Sequence, residues 1–237
     1  MMSEHGTQSR KAILIVDDHQ LLRRGLAALI ESEPELFVCA EAATCEAALE
    51  AIKERMPDLA IVDLELGDRG GLELIKEMKE SYPAMPALML SMHDEEVYAE
   101  RALRAGARGY VTKQQLDGTV LAAIRCVLEG RMYISEKLGA RFVDRFLRGE
   151  TFATDSPMHG LSDRQLQVFR AIGQGRTTCQ IAAALHLSIK TIESHREHIK
   201  DKLGIHSSAE MAQRATQWVE SGRSSRPGAS DLPDGEI

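Results

Sequence analysis

Between residues 12 and 129 the chain repeats one pattern five times, a short apolar run followed by an amphipathic stretch with helical period. The runs occupy 12–16, 36–40, 59–62, 87–90 and a short segment at 108–111. Helical patterns fall at roughly 19–31, 44–55, 71–81, 94–105 and 116–129, with Leu22, Leu26, Leu29 and Ile30 marking the buried stripe of the first. Thr44 stands where an N-cap is needed, and Gly106 and Gly130 stand where helices terminate. Strands that are apolar on both faces need cover on both faces, and strands separated by a helix run parallel. The pattern therefore predicts an α/β fold, a doubly wound five-stranded parallel sheet.

Ligands in such sheets bind at the carboxyl ends of the strands. Asp17 and Asp18 follow the first run, Asp63 ends the third, Ser91 closes the fourth and Lys113 follows the fifth. Three carboxylates brought together repel, and a hard cation such as Mg²⁺, which prefers carboxylate and water oxygens, relieves that repulsion. With the cation in place, charge on a transferring phosphoryl group is offset, and one carboxylate is free to attack phosphorus and form an acyl phosphate. Lys113 and the Ser91 hydroxyl would then bind the new oxygens and draw the ends of the fourth and fifth strands toward the modified one.

Over roughly residues 11–130 the sequence resembles the receiver domain of bacterial two-component response regulators, a flavodoxin-like fold. The matching segments are Ile15-Val-Asp-Asp-His19, Ile61-Val-Asp-Leu64, Gly70-Gly-Leu72, Leu90-Ser91 and Gly106-Ala-Arg-Gly-Tyr-Val-Thr-Lys113. The resemblance implies that Asp63 accepts phosphate from a sensor histidine kinase. It also implies that Asp17 and Asp18 organise Mg²⁺, that the main-chain carbonyl of Glu65 completes the ligands, and that Tyr110 is the aromatic switch beside Ser91. One departure is visible: relatives often carry proline four residues past the acceptor, where this chain has Gly67 followed by Asp68. A glycine there leaves the loop less restrained.

A further helix is expected over 136–147, with Leu138, Phe142, Val143 and Phe146 among charged residues, and 149–160 has the composition of a linker. Residues 161–220 read as helical throughout, at roughly 163–173, 178–185, 189–203 and 208–220. The first domain is thus placed at 11–130, a linker with its helix at 131–160, an all-α four-helix domain at 161–220 and a disordered tail at 221–237. Ile181, Ala182 and Leu185 form one buried stripe, and Leu187-Ser188 makes a tight turn with Ser188 as cap. The helix after it is expected to bury Ile189, Ile192, Ile199 and Leu203, leaving Lys190, Thr191, Glu193, Ser194, Glu197, His198 and Asp201 outside. This end resembles the LuxR-type helix-turn-helix, and with the receiver it matches the NarL/FixJ class across almost the whole chain.

Such an outer face can enter a major groove, where Ser194 and Glu193 can read base edges and cations touch phosphate. Lys190, Arg196 and Lys200 are the phosphate candidates, while Thr177 and Thr178 open the scaffold helix, whose amide-rich N-terminus can hold another phosphate. Thr191 and Glu197 complete the candidate DNA face. Gln165 and Gln167 stand where relatives commonly carry Glu. In the last helix Met211, Ala215 and Trp218 form one stripe and Ala209, Ala212, Thr216 and Val219 another, so one can pack inward and the other meet a second copy.

The net charge of −7 argues against a generic nucleic-acid binder, but it is unevenly spread: residues 1–155 hold 19 basic and 27 acidic groups, whereas 156–222 hold 8 and 6. Five histidines in the second segment can add charge near DNA. Cys39, Cys45, Cys126 and Cys179 lack metal-site spacing and read as small buried hydrophobes in a reducing compartment. No stretch approaches the roughly 20 apolar residues that cross a bilayer, and no leader-like start is visible, so a cytoplasmic location is expected.

The expectation is a response regulator, not an enzyme beyond its own Mg²⁺-dependent phosphoryl transfer and dephosphorylation. It would take phosphate on Asp63 from a sensor histidine kinase and bind promoter DNA sequence-specifically, as a homodimer when phosphorylated or on DNA. Two rivals stand beside it. A phosphotransferase acting on a small molecule generally places its nucleophile after the first strand, unlike Asp63; a signalling adaptor would use the helical domain to bind protein only.

Overall fold

Lys11–Val16 forms β1, whose four last residues are buried and whose Ile and Val side chains suit a strand covered on both sides. The computed structural model describes residues 10–66, 69–92, 95–113, 116–148, 157–185 and 187–224. Strands β2 (Leu36–Ala42), β3 (Leu59–Asp63), β4 (Ala87–Ser91) and β5 (Gly109–Thr112) join β1 in one sheet of order β2-β1-β3-β4-β5. All neighbours pair in parallel, and Val16 meets Val62, Asp63 meets Leu90, and Ser91 meets Thr112. That register brings the carboxyl ends of the central strands to one level, so the polar residues after them share one edge.

Helices α1 (Gln20–Glu31), α2 (Cys45–Arg55), α3 (Gly71–Ser81), α4 (Glu95–Ala105) and α5 (Leu116–Leu128) connect and follow the strands. Leu26 and Ile30 of α1 and Val120, Ala123, Ile124 and Val127 of α5 share a core with Ile13, Ile15, Leu59, Ile61, Leu88 and Leu90. Thr44 caps α2, its side chain accepting from the Ala47 amide, as the sequence predicts. Gly106 and Gly130 both adopt positive φ where their helices stop. Beyond α5, Tyr133 borders β5 through backbone bonds from Tyr110 N and to Arg108 O. A Cβ on Gly109 would lie 2.9 Å from the Tyr133 carbonyl oxygen, so only glycine permits this approach. Helix α6 spans Glu136–Leu147 as expected, with Leu138 buried and Val143 and Leu147 exposed.

Two compact units divide the chain, Met1–Thr151 and Phe152–Ile237. In the second, α7 (Asp163–Gly173), α8 (Thr178–Ala184), α9 (Ile189–Leu203) and α10 (Ser208–Ser224) enclose Leu166, Phe169, Ile181, Ile192, Ile199, Met211 and Ala215. The first two helices each begin with a capping box, Ser162 with Gln165 and Thr177 with Gln180. A Cβ on Gly173 would lie 2.3 Å from the Ala215 carbonyl oxygen, so α7 and α10 approach backbone to backbone. Phe169 and Trp218 complete that contact, their ring centroids 5.9 Å apart.

Several expectations need correction. Ile189 is not part of the buried stripe of α9: it is the first helical residue and is 49% exposed, because the inward direction is taken by Ile192 and Ile199, while Leu203 is half-buried. Helix α8 stops at Ala184, with Leu185 as its half-buried C-cap. Helix α10 continues to Ser224, so residues 221–224 are helical; the rest of the expected tail lies outside the described residues. Of the four cysteines only Cys45 is buried, with Cys39 and Cys126 intermediate and Cys179 exposed on α8. Among the described residues no helix is long and apolar enough to cross a membrane.

Candidate functional site

Asp17, Asp63, Ser91 and Lys113 are all buried, although each is polar or charged. Four such groups survive burial only if they satisfy one another. The Lys113 ammonium lies 2.7 Å from Asp17 Oδ2 and 2.8 Å from Asp63 Oδ2, bridging two strand ends. The backbone holds each partner in place. Asp17 N donates to Ala42 O, and the Arg23 guanidinium donates to Asp17 O at 2.6 Å. Asp17 Oδ1 accepts from His19 N at 2.8 Å, turning the chain from β1 into α1.

Behind Asp63 the fold leaves no room for a side chain. A Cβ on Gly71 would sit 1.9 Å from the Asp63 carbonyl oxygen and 3.0 Å from Val62 Cγ1, so α3 starts against the backbone of the acid itself. Gly70, at φ +76°, makes the turn, and Gly71 N donates to Leu64 O. Residues 67 and 68, where the chain departs from the usual proline, lie outside the described residues.

Burial pushes the Asp63 carboxyl up to about 7, against the lowering effect of the Lys113 charge and with repulsion from Asp17 adding to it; the Glu65 amide, bonding the carboxylate, opposes the rise. Burial also works against a charged Lys113, but Asp63 and Asp17 outweigh it and raise its pKa, so the ammonium stays protonated. A small change in charge at this pocket therefore has large leverage, since among the described residues its carboxylates outnumber its one buried cation.

Asp18, half-buried, brings a third carboxylate, and His19 a ring nitrogen 2.6 Å from Asp18 Oδ1 and 3.4 Å from Asp17 Oδ1. The donor atoms of Asp17, Asp18, His19 and Asp63 all lie within 4.8 Å of one another. Asp18 Oδ1 and Asp63 Oδ2 are buried atoms without an aligned hydrogen bond, although each has a nitrogen at ion-pair distance. Clustered carboxylate oxygens with unspent acceptor capacity fit a hard divalent cation. The cluster can hold a metal. Ser91 and Tyr110 are both buried on the adjoining strands. Sequence reasoning missed His19 and Arg23; an Asp followed two residues later by an amide it can bond was the available signal for the first.

In the second unit, Ser188 caps α9, accepting from Thr191 N, and its hydroxyl lies 2.7 Å from that of Thr191. Lys190, Glu193, Ser194 and Glu197 are exposed, and Arg196 and Lys200 are half-buried on the flank. Lys200 pairs with Glu197 at 2.7 Å. Thr177 is the N-cap of α8 and Thr178 its first residue; Thr177 accepts from the Gln180 amide. Gln165 accepts from both Ser162 N and Lys202 Nζ, tying α7 to α9. Burial, with Arg164 and His198 nearby, lowers the pKa of His195, so this histidine adds no charge at neutral pH, contrary to expectation. Met211 and Ala215 of α10 face inward with Trp218 half-buried, whereas Ala209 and Thr216 of the second stripe are exposed.

A parallel sheet with an acidic pocket at its carboxyl edge, followed in the second unit by a capped helix-turn-helix, is the arrangement of a receiver-type regulator with a DNA-binding module. Residues 13–125 match the response regulator receiver domain family, and residues 159–215 match the bacterial regulatory proteins of the luxR family. The chain is 34% identical over 207 residues to the oxygen regulatory protein NreC of Staphylococcus haemolyticus, covering 86% of this chain and 95% of that protein. A LuxR-family two-component response regulator from Aurantimonas sp. SI85-9A1 is 34% identical, with a TM-score of 0.54 over 59% of this chain and 99% of that one. RcsB of Salmonella enterica serovar Typhimurium, solved bound to the rprA promoter with BeF₃⁻, shares the fold at a TM-score of 0.55 and 23% identity, over 88% of this chain and 99% of that one. The chain belongs to the two-component response regulators that join a receiver domain to a LuxR-type helix-turn-helix, and it is a regulator of transcription.

Proposed function

We propose that Asp63 is the phosphoacceptor for a sensor histidine kinase and that its phosphorylation governs binding of α9 to promoter DNA. The observation that carries this reading is the Lys113 bridge: one buried ammonium holds Asp17 and Asp63 at 2.7 and 2.8 Å, at the edge where Ser91 ends β4. Asp17, Asp18, Asp63 and the main-chain carbonyl of Glu65 would hold Mg²⁺, which when bound offsets negative charge on the transferring phosphoryl group. Asp63 attacks phosphorus in line, and the histidine nitrogen leaves with its electron pair. Lys113 stays protonated and exchanges a carboxylate partner for a phosphoryl oxygen, while the Ser91 hydroxyl donates to another. Tyr110, buried on β5, would follow Ser91 as the switch.

Domain limits of 11–130 and 161–220 fit this division of labour, with 131–160 joining them. On the helical side Thr177 and Thr178 at the start of α8 and Lys190, Arg196 and Lys200 of α9 would bind phosphates. Thr191, Glu193, Ser194 and Glu197 would lie toward the bases. The exposed stripe of α10 suits pairing with a second copy, and two copies on one duplex would raise affinity by multivalency. A cytoplasmic location follows from the kinase and DNA partners.

Labelling with acetyl phosphate tests the acceptor: wild type should be modified and Asp63→Ala should not, whereas undiminished labelling of the variant would move the acceptor elsewhere. Lys190→Ala should weaken binding across sequences and reduce the salt slope by about one unit. An unchanged slope would remove Lys190 from the phosphate contacts.

A further inference from the structure

The exposed face of α9, which carries Lys190, also presents negative charge at the place where a helix would enter a polyanion. Glu197 is neutralised by Lys200, 2.7 Å away. Glu193, one turn earlier, is exposed, and among the described residues no salt bridge joins it. Near phosphate such a carboxylate is repelled, so it weakens binding to DNA in general. Toward the bases themselves it is favourable only where it meets a base-edge amino group, because a carboxylate accepts and never donates.

The major groove offers two such donors, cytosine N4 and adenine N6. They differ in their neighbours. Adenine N6 is flanked by acceptors on both sides, its own N7 and the O4 of thymine; cytosine N4 faces guanine O6 on one side and a carbon-bound hydrogen on the other. A carboxylate meets less repulsion at cytosine. On the same turn Ile189, 49% exposed, sits one helical turn before Glu193, and Ser194 beside it is exposed. Ile189 gives Glu193 an apolar flank that excludes water from a hydrogen bond made there.

We propose that Glu193 is a specificity-determining residue that reads a cytosine amino group in the major groove, so that each half-site of the operator carries a C·G pair at that step. This rests on the proposal that α9 binds DNA. Physically, the residue gives up general affinity to gain discrimination, which is achieved by rejecting wrong partners as much as by holding the right one.

The test is selection from a duplex library with a randomised core, using the full chain treated with acetyl phosphate, as wild type, Glu193→Ala and Glu193→Gln. Wild type should enrich one cytosine per half-site, preferred roughly tenfold over other bases. In Glu193→Ala that preference should vanish with the other positions unchanged, and retention of unrelated duplex should increase. Glu193→Gln should move the preference toward adenine, which a side-chain amide bonds through N6 and N7. Both variants alter an exposed side chain, and Trp218 fluorescence confirms that the unit is folded. Identical base preferences in all three proteins would overturn the assignment of Glu193 while leaving DNA binding intact. Failure of wild type to enrich any sequence would instead overturn the DNA-binding reading, and the assignment with it.

Discussion

At the scale of single residues, the pocket is dominated by one imbalance: among the described residues, Lys113 is the only buried cation beside Asp17, Asp63 and the half-buried Asp18. Because the folded protein raises Asp63 from the usual carboxylate range to about 7, it holds a proton that the unfolded chain releases near pH 4. The contribution of Asp63 to stability is therefore greatest below about pH 4, declines as pH rises toward 7, and is constant above that. Lys113, raised by the same pairing, acts in the same direction but at higher pH: its contribution is present below the ordinary lysine pKa and is lost above the raised one. Melting temperatures of wild type and Asp63→Asn across pH 4–8 should show wild type losing ground to the variant by a few kcal/mol, on the order of what a shift of this size implies. A difference that stays flat with pH would contradict the charge state assigned to the pocket. Asp17, Asp18, Asp63, Ser91 and Lys113 were all legible in the sequence, since each closes or follows an apolar run. The Lys113 bridge itself was not, because no spacing tells which of three acids an ammonium 50 or more residues away will meet.

Among the elements, the turn from β3 into α3 is the tightest. Gly71→Ala would place a methyl group 1.9 Å from the Asp63 carbonyl oxygen. Relief requires α3 or β3 to move, at a cost of about 3 kcal/mol. Urea denaturation should register that loss and acetyl phosphate labelling should slow; a variant with wild-type stability and labelling would mean that the approach relaxes freely. In the second unit Ser188→Ala removes the cap of α9 and should cost about 1 kcal/mol, with fraying at the end that carries Lys190 and Glu193. Amide exchange at the start of α9 is the direct readout, and unchanged protection there would contradict the capping role. The caps Thr44 and Ser188 were readable because short hydroxyl residues bond their own backbone, whereas Thr177 was read only as the start of α8. Ile189 and Cys179 were misread for a common reason: both lie in the first turn of a helix, where apolar spacing says little about which direction the neighbouring helices cover.

For the whole molecule, two units with separate cores should fold separately. A fragment of residues 152–237 should melt cooperatively, with Trp218 reporting loss of its contact with Phe169. A fragment without a transition would mean that the helices need the receiver for stability. The division was legible from the change of pattern at residue 149 and from the shift of charge balance, whereas the end of α10 was not, since Ser221, Gly222 and Ser224 read as a tail although the helix includes them. Under the proposed function, a phosphoryl group at Asp63 controls how the helical unit holds DNA. Its most direct test is the affinity of the full chain for a selected duplex, with and without acetyl phosphate, in wild type and Asp63→Asn. Affinity should rise with the donor in wild type and stay unchanged in the variant; an equal rise in both, or none in a wild type shown to be phosphorylated, would contradict it.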